Sequence, residues 1–304
     1  MRELLIIFSN NLLPILLAAS TGYVAAKYLN VTPRAISQVA FYIFSPCLVF
    51  NLLISSQLTS RDVTRMVGFT LAVVLISGIL TALIGLALRL QRSILVAVLL
   101  TVMFGNSGNY GLSLNLFAFG EEALAYASLY FATVAILMYS LGVVIASLGQ
   151  SSLRSALLGL FKVPTLYAVI LALIFNHFNW NLALPLDRTV TLLADAAIPV
   201  LMVLMGVQLF NSKLSNHTFA LGFANVLRLV AAPALALGLS LLFRLEGAAF
   251  QAGITESAVP SAIITTVLAT EFDVEPSLVT TIVFTSTLVS PLTITPILYL
   301  LGAT

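Results

Sequence analysis

Charge is what this sequence has least of. Asp, Glu, Lys and Arg make up 8% of its 304 residues, whereas a water-soluble chain carries roughly 25%. So few charges cannot wet the surface of a soluble domain of this size. No block of like charge occurs and the net charge is only +2, which speaks against a nucleic-acid face and a polybasic lipid-binding tail. The one cysteine, Cys47, sits in an apolar stretch and has no partner within the chain. One cysteine and two distant histidines offer no His/Cys metal centre, and no metal or other cofactor is expected. His-Glu-x-x-His and Gly-x-Ser-x-Gly are also missing, so nothing points to an enzyme.

What is abundant is apolar sequence. Hydrophobic residues make up 60% of the chain, in runs long enough to span a bilayer, which takes about 20 residues. The spacing predicts spans near 4–26, 36–57, 66–88, 93–118, 123–148, 156–177, 189–210, 217–243, 248–270 and 277–301. The first run is too long for a signal-peptide core of roughly 7–15 residues and reads as a retained helix. The connections are short clusters of charge, Gly and Pro, with no room for a separate soluble domain. The predicted fold is an all-α membrane protein of about ten transmembrane helices, with the lipid bilayer as its solvent.

An offset of about 152 residues recurs. It separates Arg2 from Arg154, Arg61 from Lys213, Arg92 from Arg244 and Glu121 from Asp273, and carries Gly108 onto Pro260. This suggests two five-helix repeats, 1–150 and 151–304. An odd number of spans in each would invert one against the other. Lys and Arg number seven on one side (Lys27, Arg34, Arg89, Arg92, Arg154, Lys162, Lys213) and five on the other (Arg2, Arg61, Arg65, Arg188, Arg244). The richer side is assigned to the cytoplasm, with both termini outside a cell (inner) membrane.

Polar residues deep in a span are costly and ask for a role. In the fourth span, Gly105, Asn106, Gly108, Asn109, Tyr110 and Gly111 follow one another between good helix formers. Unwound backbone there is tolerable only beside a cavity or other protein, and carboxamides beside it suit a polar solute. Close packing through small residues is the competing account. In the ninth span Pro260 removes the N–H that would bond the carbonyl of Glu256. Glu256 thereby offers a freed carbonyl and a carboxylate together, a combination suited to a proton or sodium ion, unless the acid is only structural. Asp195 stands four residues before Pro199 and repeats the arrangement in the seventh span, but nearer a helix end, where a solvated or capping role is the alternative. Arg228 in the eighth is a candidate partner for an anion, for Glu256 or for Asp195, and otherwise reaches for the interface.

These residues resemble the auxin efflux carrier family. Asn106 and, after four residues, Gly111-Leu112-Ser113-Leu114 match its fourth-span signature, with Ser113 where Pro is usual. Ala258-Val259-Pro260-Ser261 and Glu271-Phe272 match its ninth span, Ile198-Pro199 and Gly206-Val207-Gln208-Leu209 its seventh, and Arg228-Leu229 with Pro233 its eighth. The resemblance implies ten helices in two inverted repeats, with the broken fourth and ninth helices crossing as in bile acid:sodium symporters. It also implies a scaffold of helices 1, 2, 6 and 7 beside a mobile transport domain, commonly in a homodimer.

The implied function is secondary transport of a small organic anion such as malate, malonate or an auxin-like acid. Plant carriers have Gln where Glu256 stands, so the acid here raises the question of coupling to a proton or sodium ion. Asn106, Asn109, Tyr110, Pro260 and Ser261 are the expected substrate residues, with Glu256 and Asp195 for the ion. An uncoupled facilitator, a channel or a receptor using the same pocket would carry the same residues.

Overall fold

The computed structural model describes residues 2–29, 31–56, 58–147, 163–178, 180–210 and 215–303. Among them the chain is helical throughout, apart from one isolated antiparallel bridge between Gly105 and Ser261. Helices α1 (Arg2–Leu29), α2 (Pro33–Ser55) and α3 (Ser60–Ala87) come first. The fourth predicted span is divided into α4 (Arg92–Met103) and α5 (107–119). Gly120, at φ 78°, leaves helical geometry and starts α6 (121–146). Then follow α7 (Pro164–Phe178), α8 (Leu184–Phe210) and α9 (Thr218–Phe243). The ninth predicted span is divided into α10 (Gly247–Ala258) and α11 (Ile264–Glu271), and α12 (Pro276–Leu300) ends the series. Arg154, Lys162, Lys213 and the expected boundary at 150/151 lie outside the described residues.

Among the described residues seven helical runs are long and apolar enough to cross a membrane, one of them α5 and α6 taken together across Gly120, and α4 and α7 are shorter apolar helices. A helix bonds its own backbone, which is what a chain without surrounding water requires. Hydroxyls inside the spans follow the same rule: Thr70, Thr81 and Thr133 each donate to the carbonyl four residues back. Asn11 donates to Ile7 O beside the π turn Phe8–Leu12. The start of α3 is a capping box between Thr59 and Asp62. Many large apolar side chains face outward, among them Leu192, Leu241, Leu292 and Leu300, as a lipid-facing surface demands.

Helix α8 packs along α1 and α2, and α2 along α7, so the scaffold helices implied by the resemblance form one packed group. Backbones meet within it: a Cβ at Gly22 would overlap Val203 O, and one at Gly206 would overlap Ala19 O. Helices α3, α4, α9, α10, α11 and α12 pack among themselves as a second group. Pro199 does not open a second break, because α8 runs unbroken from Leu184 to Phe210. The expectation that Asp195 and Pro199 repeat the Glu256–Pro260 arrangement is thus corrected: a proline inside a packed helix has neighbours to absorb its lost bond.

The connections collect on two opposite ends of the bundle. At one end Ser93 donates to Glu275 (3.2 Å), His217 lies 3.9 Å from the same carboxylate, and Ser215 N donates to Thr281 (2.6 Å). At the other, Asn176 donates to Leu53 O (2.9 Å), Gln251 to Leu301 O (3.1 Å), and Tyr299 lies near Glu3. The two ends of the described chain therefore share one face.

Candidate functional site

The two broken spans cross at their breaks. Asn106 N donates to Pro260 O (2.7 Å) and Ala262 N to Phe104 O (2.8 Å), a short antiparallel clasp. The clasp satisfies backbone groups that neither half-helix can bond for itself. Downstream of it, Tyr110 N and Gly111 N both donate to Asn106 O, in a π turn that starts α5.

Arg228, 2% exposed, fills the space behind the clasp. Its Nε donates to Val259 O (2.8 Å), Nη1 to Val102 O (3.1 Å) and Nη2 to Glu256 O (3.4 Å). One guanidinium thus serves the carboxyl ends of both α4 and α10. The Glu256 carbonyl freed by Pro260 is therefore taken, which corrects the expectation that it stands open for an ion. Among the described residues no ion pair joins Arg228 to the Glu256 carboxylate.

The Glu256 carboxyl points the other way, fully buried, against Gly111. Asn115 Nδ2 donates to Oε1 (3.1 Å) and also to Gly111 O (2.9 Å). Ser107 lies close enough to influence the acid, but its hydroxyl does not reach hydrogen-bond geometry. Glu256 Oε2, Asn115 Oδ1 and the Ser107 hydroxyl are all buried without a hydrogen-bond partner. One unsatisfied carboxyl oxygen with two more unsatisfied oxygens beside it is an expensive arrangement in a dry interior. A proton or a hard cation would relieve it, since oxygen atoms are what such cations bind.

On the opposite side of Ser107 is a cavity of about 110 Å³. Asn106, Ser107, Gly108 and Asn109 form one wall, and Ser37, Phe41, Phe131, Tyr139 and Gln208 contribute to the others. Asn109 Nδ2 donates to Gln208 Oε1 (3.3 Å), whose own amide reaches Ser37 (3.4 Å). Asn106 Nδ2 lies 3.8 Å from Met205 Sδ. Two residues three apart on α8 thus meet two residues three apart at the break. Among the described residues no charged side chain lines this cavity. It adjoins a wider vestibule of about 610 Å³ that shares Ser37, Phe41, Tyr139, Gln208 and Ile264 with it. The vestibule opens at the end of the bundle that carries Arg34 and Thr270, and among the described residues Arg34 is its one charged lining residue.

Of the residues expected from the sequence, Asn106, Asn109, Gly105 and Gly108 line the cavity. Glu256 and Gly111 stand behind its wall. Tyr110 is fully buried and receives a hydrogen bond from Ser290 (3.2 Å), and Pro260 and Ser261 belong to the clasp. Asp195 is exposed on α8 and is not among the residues of the crossing. Sequence reasoning missed Asn115 and Gln208 as site residues. Asn115 follows Gly111 by one helical turn, and that spacing could have drawn attention to it.

The family profile described as Membrane transport protein matches residues 7–152 and 147–299. The chain is 29% identical over 254 residues to an uncharacterized transporter of Methanocaldococcus jannaschii, covering 80% of this chain and 81% of that one. A second uncharacterized transporter, from Methanothermobacter thermautotrophicus, is 30% identical over 172 residues, 56% of each chain. Auxin efflux carrier component 6 of Arabidopsis thaliana is 26% identical over 147 residues, 43% of this chain and 26% of that protein.

Proposed function

This chain belongs to the membrane transport protein family, and we propose that within it the chain is a secondary active transporter of a small organic anion. In this reading the substrate enters from the vestibule and its polar groups replace the Asn109–Gln208 contact. The apolar lining from Phe41, Phe131 and Leu204 receives its carbon skeleton. Glu256 behind Ser107 takes a proton or a sodium ion, and the crossing shifts against α1, α2, α7 and α8 to change the side of access. A carrier is favoured over a channel because the cavity ends at the packed clasp and, among the described residues, no ring of charges or carbonyl filter lines a continuous path.

The single observation that carries the proposal is a broken crossing with a largely apolar cavity of one polar wall in front and an undersatisfied buried carboxyl behind. The twelve helical pieces among the described residues then make ten passes, α4 with α5 and α10 with α11 each counting as one. The halves 1–150 and 151–304 form inverted repeats, as the near-matching positions of the two breaks suggest. The vestibule faces the cytoplasm, in keeping with the Lys/Arg bias, and both termini lie outside the cell membrane. The family resemblance extends the proposal to a homodimer. An uncoupled facilitator is the second reading, favoured by one fact: Glu256 is walled off from the cavity and a neutral acid there needs no traffic of ions.

A thermal-shift screen of small organic anions, malate, malonate and indole-acetate among them, tests the substrate class on the purified protein. An anion that stabilises the wild type and not Asn109→Ala supports it. A solute that stabilises both equally acts elsewhere, and stabilisation by neutral or cationic solutes alone would overturn the anion assignment.

A further inference from the structure

Arg228 is the one fully buried cation among the described residues, and the transport scheme above makes no use of it. It sits on α9 at the π turn Leu227–Ala231, which adds a residue to the turn and re-aims the side chain. Among the described residues its three acceptors are all main-chain carbonyls, Val102 O, Val259 O and Glu256 O. They come from the ends of two different helices, and those ends carry partial negative charge because their carbonyls lack intrahelical donors. A Cβ at Gly105 would overlap Arg228 Nη2, so the clasp leaves the guanidinium a glycine-sized place.

Convergent carbonyls at unwound helix ends, buried in a membrane protein, are the kind of oxygen ligands that hold a monovalent cation in transporters with broken helices. Here the positive charge is covalently attached. We infer that Arg228 is a tethered cation occupying a carbonyl-lined cation site at the crossing. It is a positioning residue: it holds the ends of α4 and α10 together and thereby aims the Glu256 carboxyl at Ser107 and Asn115. The site is permanently filled, so no free cation enters it. On the carrier reading, the carbonyls around Arg228 then hold no coupling ion, and the undersatisfied Glu256 carboxyl is the place for one.

The test uses the full-length protein in detergent. Arg228→Ala removes the charge and leaves the carbonyls facing an empty space. Thermal unfolding is followed with guanidinium, sodium or choline chloride at equal concentration, about 10–50 mM, well below the molar range in which guanidinium denatures. The variant is expected to unfold at a lower temperature than wild type and to recover with guanidinium or sodium but not with choline. The wild type is expected to ignore the choice of cation. Arg228→Met keeps the length of the side chain without its charge and is expected to stay destabilised in all three salts, whereas Arg228→Lys retains more stability than Met.

Wild-type stability in the Met variant would overturn the inference, because packing alone would then explain the residue. Equal recovery in choline, or loss of Arg228→Ala protein in every salt while Met survives, would overturn it as well. None of these readouts needs a substrate, so they stand or fall apart from the transport proposal.

Discussion

The Glu256 carboxyl lies so close to the Cα of Gly111 that a single methyl group on Gly111 would overlap both carboxyl oxygens. None of Gly105, Gly108 and Gly111 has a positive φ. Their role at the break is clearance: Gly105 makes room for Arg228, Gly108 for the Phe131 ring and Gly111 for Glu256. The tight fit connects the broken α5 to the acid on α10.

Gly111→Ala should therefore lower stability by about 1–3 kcal/mol, the usual cost of overpacking. The double variant Gly111→Ala/Glu256→Ala should recover part of that loss, because the shorter side chain vacates the space. Unfolding temperatures of the four proteins in detergent give the coupling. Strict additivity would mean that the two residues do not press on each other.

Glu256→Gln keeps the shape of the side chain and removes its charge. The variant is expected to bind and exchange substrate but to lose acceleration by an imposed proton or sodium gradient. Asp195→Asn is expected to leave that acceleration intact, because Asp195 is exposed on α8 and outside the crossing. Flux measured in proteoliposomes under each gradient checks both. Wild-type flux indifferent to both gradients would make Glu256 structural and the protein a facilitator.

Gln208→Ala removes the partner of Asn109 and widens the cavity without touching the clasp. Ligand affinity should fall about tenfold, as when one polar contact worth roughly 1–3 kcal/mol is lost, with little change in unfolding temperature. Titration of the best stabilising anion against wild type and variant reads this directly. An unchanged affinity would remove α8 from the substrate site.

Accessibility gives the topology. In a Cys47→Ala background, Gln38→Cys in the vestibule should react with an impermeant thiol reagent only from the cytoplasm, and cysteines added at either terminus only from outside. Labelling of the two termini from opposite sides would sink the ten-pass arrangement.

Much of this was legible in the sequence, for identifiable reasons. Three glycines and two asparagines between good helix formers contradict a continuous helix, and the chain does unwind there. Pro260 marked the second break because its missing N–H has no substitute along α10. Pro199 looked equivalent and was not, since α8 absorbs it within its packing against α1 and α2. The partnerships across the site could not be read in advance. Asn115 meets Glu256 across 141 residues and Gln208 meets Asn109 across 99, and nothing local to either amide reports its partner. Arg228 was recognised as out of place in a span, but its carbonyl acceptors exist only once two breaks are brought together.

The central claim is that the cavity at the crossing carries a solute by alternating access. Counterflow tests it most directly: proteoliposomes loaded with the best stabilising anion take up the labelled anion at low external concentration. The account predicts a transient overshoot that saturates with concentration and disappears in Asn109→Ala. Uptake that rises linearly with concentration and ignores the internal anion would contradict it and show a channel, and binding without any flux would show a receptor.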